Sequence, residues 1–122
     1  MKPTILYFDD EEMQLTLFAE MFSDEYEVRA ASTLIEARAI LSFCPEIVIS
    51  DWSMPGISGL EFLREAARSC PKSFRILLTG YGQVADVMLE VGRGVIQLFM
   101  PKPWNETEMR TALERAFLLR SR

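Results

Sequence analysis

Four places in this sequence carry side chains that could do chemistry together. Asp9, Asp10, Glu11 and Glu12 form an acidic run; Asp51 stands ahead of Met54-Pro55-Gly56; Thr79 precedes Gly80; and Lys102 lies between Pro101 and Pro103. If these groups meet, the carboxylates repel and must either take up protons or share a cation. An oxygen donor set without His or Cys favours a hard ion, Mg2+ before Zn2+. One carboxylate is then free to act as a nucleophile. An ammonium and a bound cation would neutralise incoming phosphoryl oxygens, and a threonine hydroxyl would donate to one of them. That chemistry is an aspartyl-phosphate site.

Each residue also has an ordinary explanation. Acids suit a solvated helix N-terminus, which covers Asp9 to Glu12. Asp51 could be a turn residue, or the opening of a calcium loop; the latter fails because Phe62 stands where the loop needs its last, bidentate Glu. Thr79 could simply end a strand, and Lys102 could be a surface lysine. Phe99 and Trp104 read as packing, and the methionines as core filler. What separates the two readings is whether the fold gathers these positions.

The elements say that it does. Short apolar runs at Ile5–Phe8, Val28–Ala31, Ile47–Ile49, Ile76–Leu78 and Val95–Phe99 read as strands. Helical stripes separate them: Met13, Leu17, Phe18 and Met21; Leu34, Ala37, Ile40 and Leu41; Leu60, Leu63 and Ala67; Val84, Val87, Met88 and Val91; Met109, Ala112, Leu113, Ala116 and Phe117. Thr33 with Glu36 and Ser58 with Glu61 have capping-box spacing, and Asn105 with Glu108 caps the last helix. Five β-α units imply a parallel sheet covered on both faces. Ligands of such sheets bind at the carboxyl ends of the strands. Asp9 and Asp10, Asp51, Thr79 and Lys102 each follow a different strand, so they converge on one edge.

Composition narrows the field further. The 122 residues suit one domain, 1–122, and the balance of 49% hydrophobic and 25% charged is that of a globular fold rather than a disordered chain. A net charge of −5 disfavours a nucleic-acid surface. With no histidine, Ser-His-Asp and Cys-His catalysis, His-ligated metals and a phosphohistidine within the chain are excluded. Cys44 and Cys70, outside any CxxC pattern, are expected to be reduced thiols of a cytoplasmic protein, not a disulfide. No apolar run approaches a membrane span, and Met1-Lys2-Pro3-Thr4 leads into the first strand without a signal-peptide cleavage site.

These motifs, in this order, resemble the receiver domain of two-component response regulators, chemotaxis-regulator-like, over essentially the whole chain. The carrying residues are Asp9-Asp10, Asp51 with Met54-Pro55-Gly56 and Gly59, Thr79-Gly80 and Lys102-Pro103. The resemblance implies an α/β, flavodoxin-like (βα)5 doubly wound sandwich with a five-stranded parallel sheet in the order 2-1-3-4-5. It implies that Asp51 is the phosphoacceptor and that Asp10 and Asp51 ligate Mg2+ directly. Asp9 would be an outer acid acting through water, and Ser53 would offer its backbone carbonyl. Thr79 and Lys102 would contact the phosphoryl group, Phe99 would be the switch aromatic, and the bond between Lys102 and Pro103 would be cis. Ser53 and Tyr81 would flank the water path that ends the phosphorylated state. The implied donor is a histidine kinase or phosphotransfer protein, in the cytoplasm. Helix four, strand five and helix five would form the output face and a possible homodimer, with Arg110, Arg115 and Arg120 offered to partner acids. Lys102-Pro103-Trp104 resembles a subgroup often fused to cyclic-dinucleotide phosphodiesterase, cyclase or transcriptional modules, so the chain is either stand-alone or part of a longer protein. A phosphatase of the haloacid dehalogenase class would also use an aspartyl-phosphate. It wants an acid two residues after its nucleophile, where Asp51 has Ser53. A degenerate receiver is opposed by intact Asp51, Thr79 and Lys102.

Overall fold

The central strands are apolar on both faces, and burial follows from that. The computed structural model describes residues 2–80 and 84–119. Its strands β1 (Thr4–Phe8), β2 (Glu27–Ala31), β3 (Ile47–Asp51), β4 (Phe74–Thr79) and β5 (Leu98–Pro101) alternate with helices α1 (Glu12–Phe22), α2 (Leu34–Leu41), α3 (Gly59–Ser69), α4 (Val84–Gly92) and α5 (Glu106–Leu119). All pairings in the five-stranded sheet are parallel, in the order β2-β1-β3-β4-β5. This is the expected flavodoxin-like order. A short antiparallel ladder, Ser53–Met54 with Ile57–Ser58, closes the loop after β3.

Side chains alternate across each strand, so β1 sends Ile5 and Tyr7 to one face and Leu6 and Phe8 to the other. The first face packs under α1 and α5 with Phe18, Phe22 and Leu113. The second packs under α2, α3 and α4 with Ala37, Phe62, Leu63 and Val87. β2 is a short edge strand whose exposed Glu27 and Arg29 pair with each other, a charged rim that discourages further strand addition. The expected caps are present: Thr33 with Glu36, Ser58 with Glu61, and Asn105 exchanging hydrogen bonds with Glu108.

Several sequence expectations need correction. In α1 the core face is Leu15, Phe18 and Phe22, while Met13 and Leu17 are 73% and 41% exposed. The four apolar residues chosen from the sequence spanned two faces of a helix rich in them on all sides. In α4, Val87 is buried as expected, but Met88 is exposed and Glu90 is buried, held by Arg64 of α3. Phe117 lies at the exposed margin of α5. β5 begins at Leu98, not Val95, because Arg75 claims the preceding segment. Its guanidinium donates to the carbonyls of Gly94 and Val95, and its backbone N–H donates to the Gln97 side chain. Arg110 pairs with Glu25 and Glu106 within the chain. Arg120 and Tyr81 lie outside the described residues. Finally, Cys44 and Cys70 are not free thiols. They form a disulfide across 5.4 Å between Cα atoms. Cys44 leaves α2 with a positive φ of 50°, and Cys70 caps α3, so two loop ends distant in sequence are brought together by the packing of those helices.

Candidate functional site

The carboxyl edge of the sheet gathers the predicted residues. Asp9 directly follows β1, Asp51 ends β3, Thr79 ends β4, and Lys102 directly follows β5. The acidic run divides. Glu11 and Glu12 go to the head of α1, where negative charge suits the helix dipole. Asp9 and Asp10 stay at the edge and meet Asp51, each offering a carboxylate oxygen within 4.8 Å of the others.

Asp9 is fully buried. Its Oδ1 accepts the Glu11 N–H at 3.0 Å, while its Oδ2 is buried without a hydrogen-bond partner. Burial, with help from the neighbouring Asp51 charge and against the Glu11 N–H, pushes its carboxyl up to about 6. Asp10, by contrast, is exposed. Asp51 is buried, 8% exposed; its Oδ1 accepts both the Trp52 N–H at 3.0 Å and the Lys102 ammonium at 3.2 Å. Lys102 also lies 3.7 Å from Asp9 Oδ2. Burial works against the ammonium, but Asp51 and then Asp9 outweigh it and raise its pKa, so Lys102 stays charged. Lys102 is presented by the loop that contains the cis bond to Pro103, and its own N–H donates to the Thr79 carbonyl at 2.8 Å.

A single glycine lets this edge close. A Cβ on Gly59 would stand 2.1 Å from the Asp51 carbonyl oxygen and 2.9 Å from Leu77 Cδ1. The first turn of α3 therefore packs directly on the end of β3, and the Gly59 N–H donates to the Trp52 carbonyl at 2.7 Å. Thr79 is buried, and its hydroxyl donates to the Met100 carbonyl at 3.4 Å. Phe99, opposite Leu77 in the register, is half-buried against the core on the α4 side. Thr79 and Phe99 thus lie on neighbouring strands, as expected. Ser53 is exposed at the start of the small ladder, two residues beyond Asp51.

An oxygen-only set with one buried carboxylate oxygen that has no hydrogen-bond partner fits a hard divalent cation such as Mg2+. Sequence reasoning did not find two contributors, the Trp52 and Glu11 N–H groups. Backbone donors carry no residue signature. It also passed over Arg75 and Glu90, although an arginine inside Phe74–Thr79 signals a charge that the interior must satisfy.

Comparison with known proteins agrees with this geometry. A family model described as the response regulator receiver domain matches residues 5–114. The hydrogenase transcriptional regulatory protein HoxA of Cupriavidus necator is 33% identical over 102 residues, which is 83% of this chain and 21% of that protein. HoxA of Bradyrhizobium diazoefficiens matches over 24% of its length, so the chain spans less than a quarter of both HoxA proteins. Sporulation initiation phosphotransferase F of Bacillus subtilis is 28% identical over 99% of this chain and 98% of its own. A receiver domain protein from Clostridium thermocellum superimposes with a TM-score of 0.88 at 29% identity, covering 95% of this chain and 94% of that one.

Proposed function

The chain belongs to the response regulator receiver family and is a phosphoacceptor domain of two-component signalling, and from that premise we propose that Asp51 is the residue phosphorylated, with Lys102 and Thr79 as its phosphoryl contacts. The observation that carries this reading is the Lys102 ammonium, 3.2 Å from Asp51 and 3.7 Å from Asp9, at the edge where Asp9, Asp10 and Asp51 meet.

The chemistry follows from charge. Two donors hold Asp51 Oδ1 and orient the carboxylate, so its other oxygen attacks phosphorus as the bond to the donor's imidazole nitrogen breaks. The product is an acyl phosphate on Asp51. Lys102 moves its ammonium from carboxylate to phosphoryl oxygen, keeping an ion pair throughout. The Thr79 hydroxyl leaves the Met100 carbonyl, a long 3.4 Å bond, for a more highly charged acceptor. Asp9, Asp10 and Asp51, with the Ser53 backbone carbonyl, would hold Mg2+, which when bound supplies positive charge against the phosphoryl oxygens. Water later cleaves the acyl phosphate, so the domain carries autophosphorylation and autodephosphorylation activity only; Ser53 and Tyr81 tune the second step.

The donor is a histidine kinase or phosphotransfer protein, and the setting is the cytoplasm, where ATP-derived phosphoryl groups arise. Output leaves through α4, β5 and α5, either to a C-terminal output domain or to a second receiver. Departure of Thr79 toward the phosphoryl group frees volume for Phe99 to turn inward, a repacking of the few kcal/mol that separate two-state switches. Beryllofluoride with Mg2+, a phosphoryl mimic, tests the assignment by amide NMR. Wild type should saturate and Asp51→Asn should not respond; an unchanged response of the variant would overturn it.

A further inference from the structure

We propose that Cys44 and Cys70 form a reversible thiol–disulfide site, exchanged by dithiols, at the end of the sheet opposite Asp51. The two residues precede β3 and β4, so they flank the amino ends of the strands whose carboxyl ends carry Asp51 and Thr79. Three observations distinguish this bond from a buried structural staple. Cys44 is an exposed residue while Cys70 is buried, so Cys44 is the side from which exchange would begin. A cavity of about 290 Å³ opens beside them, lined by both loops, including Pro45, Pro71 and Lys72. The loops are also tied without the bond: the Ser73 hydroxyl donates to the Pro45 carbonyl at 2.5 Å and the Phe74 N–H to the Glu46 carbonyl at 2.9 Å, while Arg75 braces its own loop through the carbonyls of Cys70 and Ser73.

The reduced state is equally well provided for. Cys44 Sγ lies 3.6 Å from the Ser69 carbonyl oxygen, and Cys70 Sγ lies 3.3 Å from that of Leu41. Each thiol therefore has an acceptor in place, so breaking the bond leaves no buried donor stranded. In exchange, a thiolate of the dithiol attacks Cys44 Sγ, and the Cys70 thiolate leaves and takes a proton. The second thiol of the reductant, as thiolate, attacks the mixed disulfide; Cys44 leaves and is protonated in turn. The reductant gives up two electrons and closes its own disulfide. Exposed disulfides are the labile ones, and in a cytoplasmic protein a disulfide is usually transient. Only that last point rests on the cytoplasmic setting proposed above.

The test uses the whole chain without denaturant. Oxidised dithiothreitol sets the bond, reduced dithiothreitol is titrated in, and iodoacetamide with mass mapping reads both cysteines while circular dichroism follows the fold. Cys44 should become alkylated while the native spectrum persists, and Cys70, which is buried, should appear as a free thiol when the quenched sample is afterwards denatured and labelled with a second reagent. Tm should fall by about 10 °C on loss of the cross-link, and oxidised dithiothreitol should restore it. Cys44→Ser should melt at the reduced value whatever the dithiol concentration. Failure of the bond to form, resistance to reduction until denaturant is added, or a dithiol-dependent Tm in Cys44→Ser would each overturn the proposal. No phosphoryl donor is present, so neither outcome bears on Asp51.

Discussion

At the scale of single residues, the site stands on Asp9, whose carboxylate is buried at a cost to the fold. Its folded pKa of about 6 lies above the ordinary 3.8, so between these values the folded chain binds more protons than the unfolded one. That protonation stabilises fully below pH 3.8 and is lost as pH rises through about 6. At pH 7 without divalent ions, Asp9→Asn should therefore raise stability by on the order of 2 kcal/mol, as measured by urea unfolding. The wild-type affinity for Mg2+ should fall as pH drops below about 6, because the proton competes for the same oxygens. A variant less stable than wild type in chelator would remove burial as the cause. Asp9, Asp51, Thr79 and Lys102 were legible because charged and hydroxyl residues directly after apolar runs have one place to go in a parallel sheet. The backbone N–H groups of Trp52, on Asp51, and of Glu11, on Asp9, were not, since every residue type supplies the same N–H.

At the scale of elements, α3 and α4 are positioned by contacts that no periodicity encodes. Gly59→Ala would drive a methyl into the Asp51 carbonyl, a backbone atom that cannot swing aside. It should cost about 3 kcal/mol or more in thermal unfolding and slow labelling of Asp51 by acetyl phosphate about tenfold. Labelling at the wild-type rate would mean that the tight packing of α3 on β3 does not set the site. Glu90, buried on α4, accepts from Arg64 on α3 while its Oε2 has no hydrogen-bond partner. Glu90→Gln should weaken that tie and speed amide hydrogen exchange across residues 86–92 while leaving β3 protected; unchanged exchange would mean that α4 is held by Val87 and its apolar neighbours alone. Among the described residues, the sequence pattern located the five helices and the five strands of the parallel sheet but not the short ladder after β3; it placed Phe18 of α1 and Val87 of α4 inward correctly, yet also turned Met13, Leu17 and Met88 inward, although all three are exposed. Both helices carry apolar residues around most of their circumference, so burial was decided by a charge partner and by neighbouring side chains rather than by period. The start of β5 was likewise decided by Arg75, a contact between segments far apart in the chain.

At the scale of the whole molecule, the sheet separates the carboxyl edge, where phosphoryl transfer is proposed, from the cysteine pair at the amino edge. Between the first of these and the outer surface stand Thr79 and Phe99 on adjacent strands. Beryllofluoride should therefore shift amide signals of residues 84–100 and the start of α5 well beyond those of residues 32–43. In Lys102→Ala, which should keep the fold, those distant shifts should shrink while signals next to Asp51 still respond. Equal distant shifts in the variant would take Lys102 out of the coupling. All of this presupposes that Asp51 accepts the phosphoryl group, and a chemical trap reads that directly. The protein is incubated with acetyl phosphate and Mg2+, reduced with borohydride so that an acyl phosphate becomes homoserine, digested, and mapped by mass. Homoserine at position 51, absent in Asp51→Asn, is the expected result; homoserine at Asp9 or Asp10, or undiminished trapping in the variant, would contradict it.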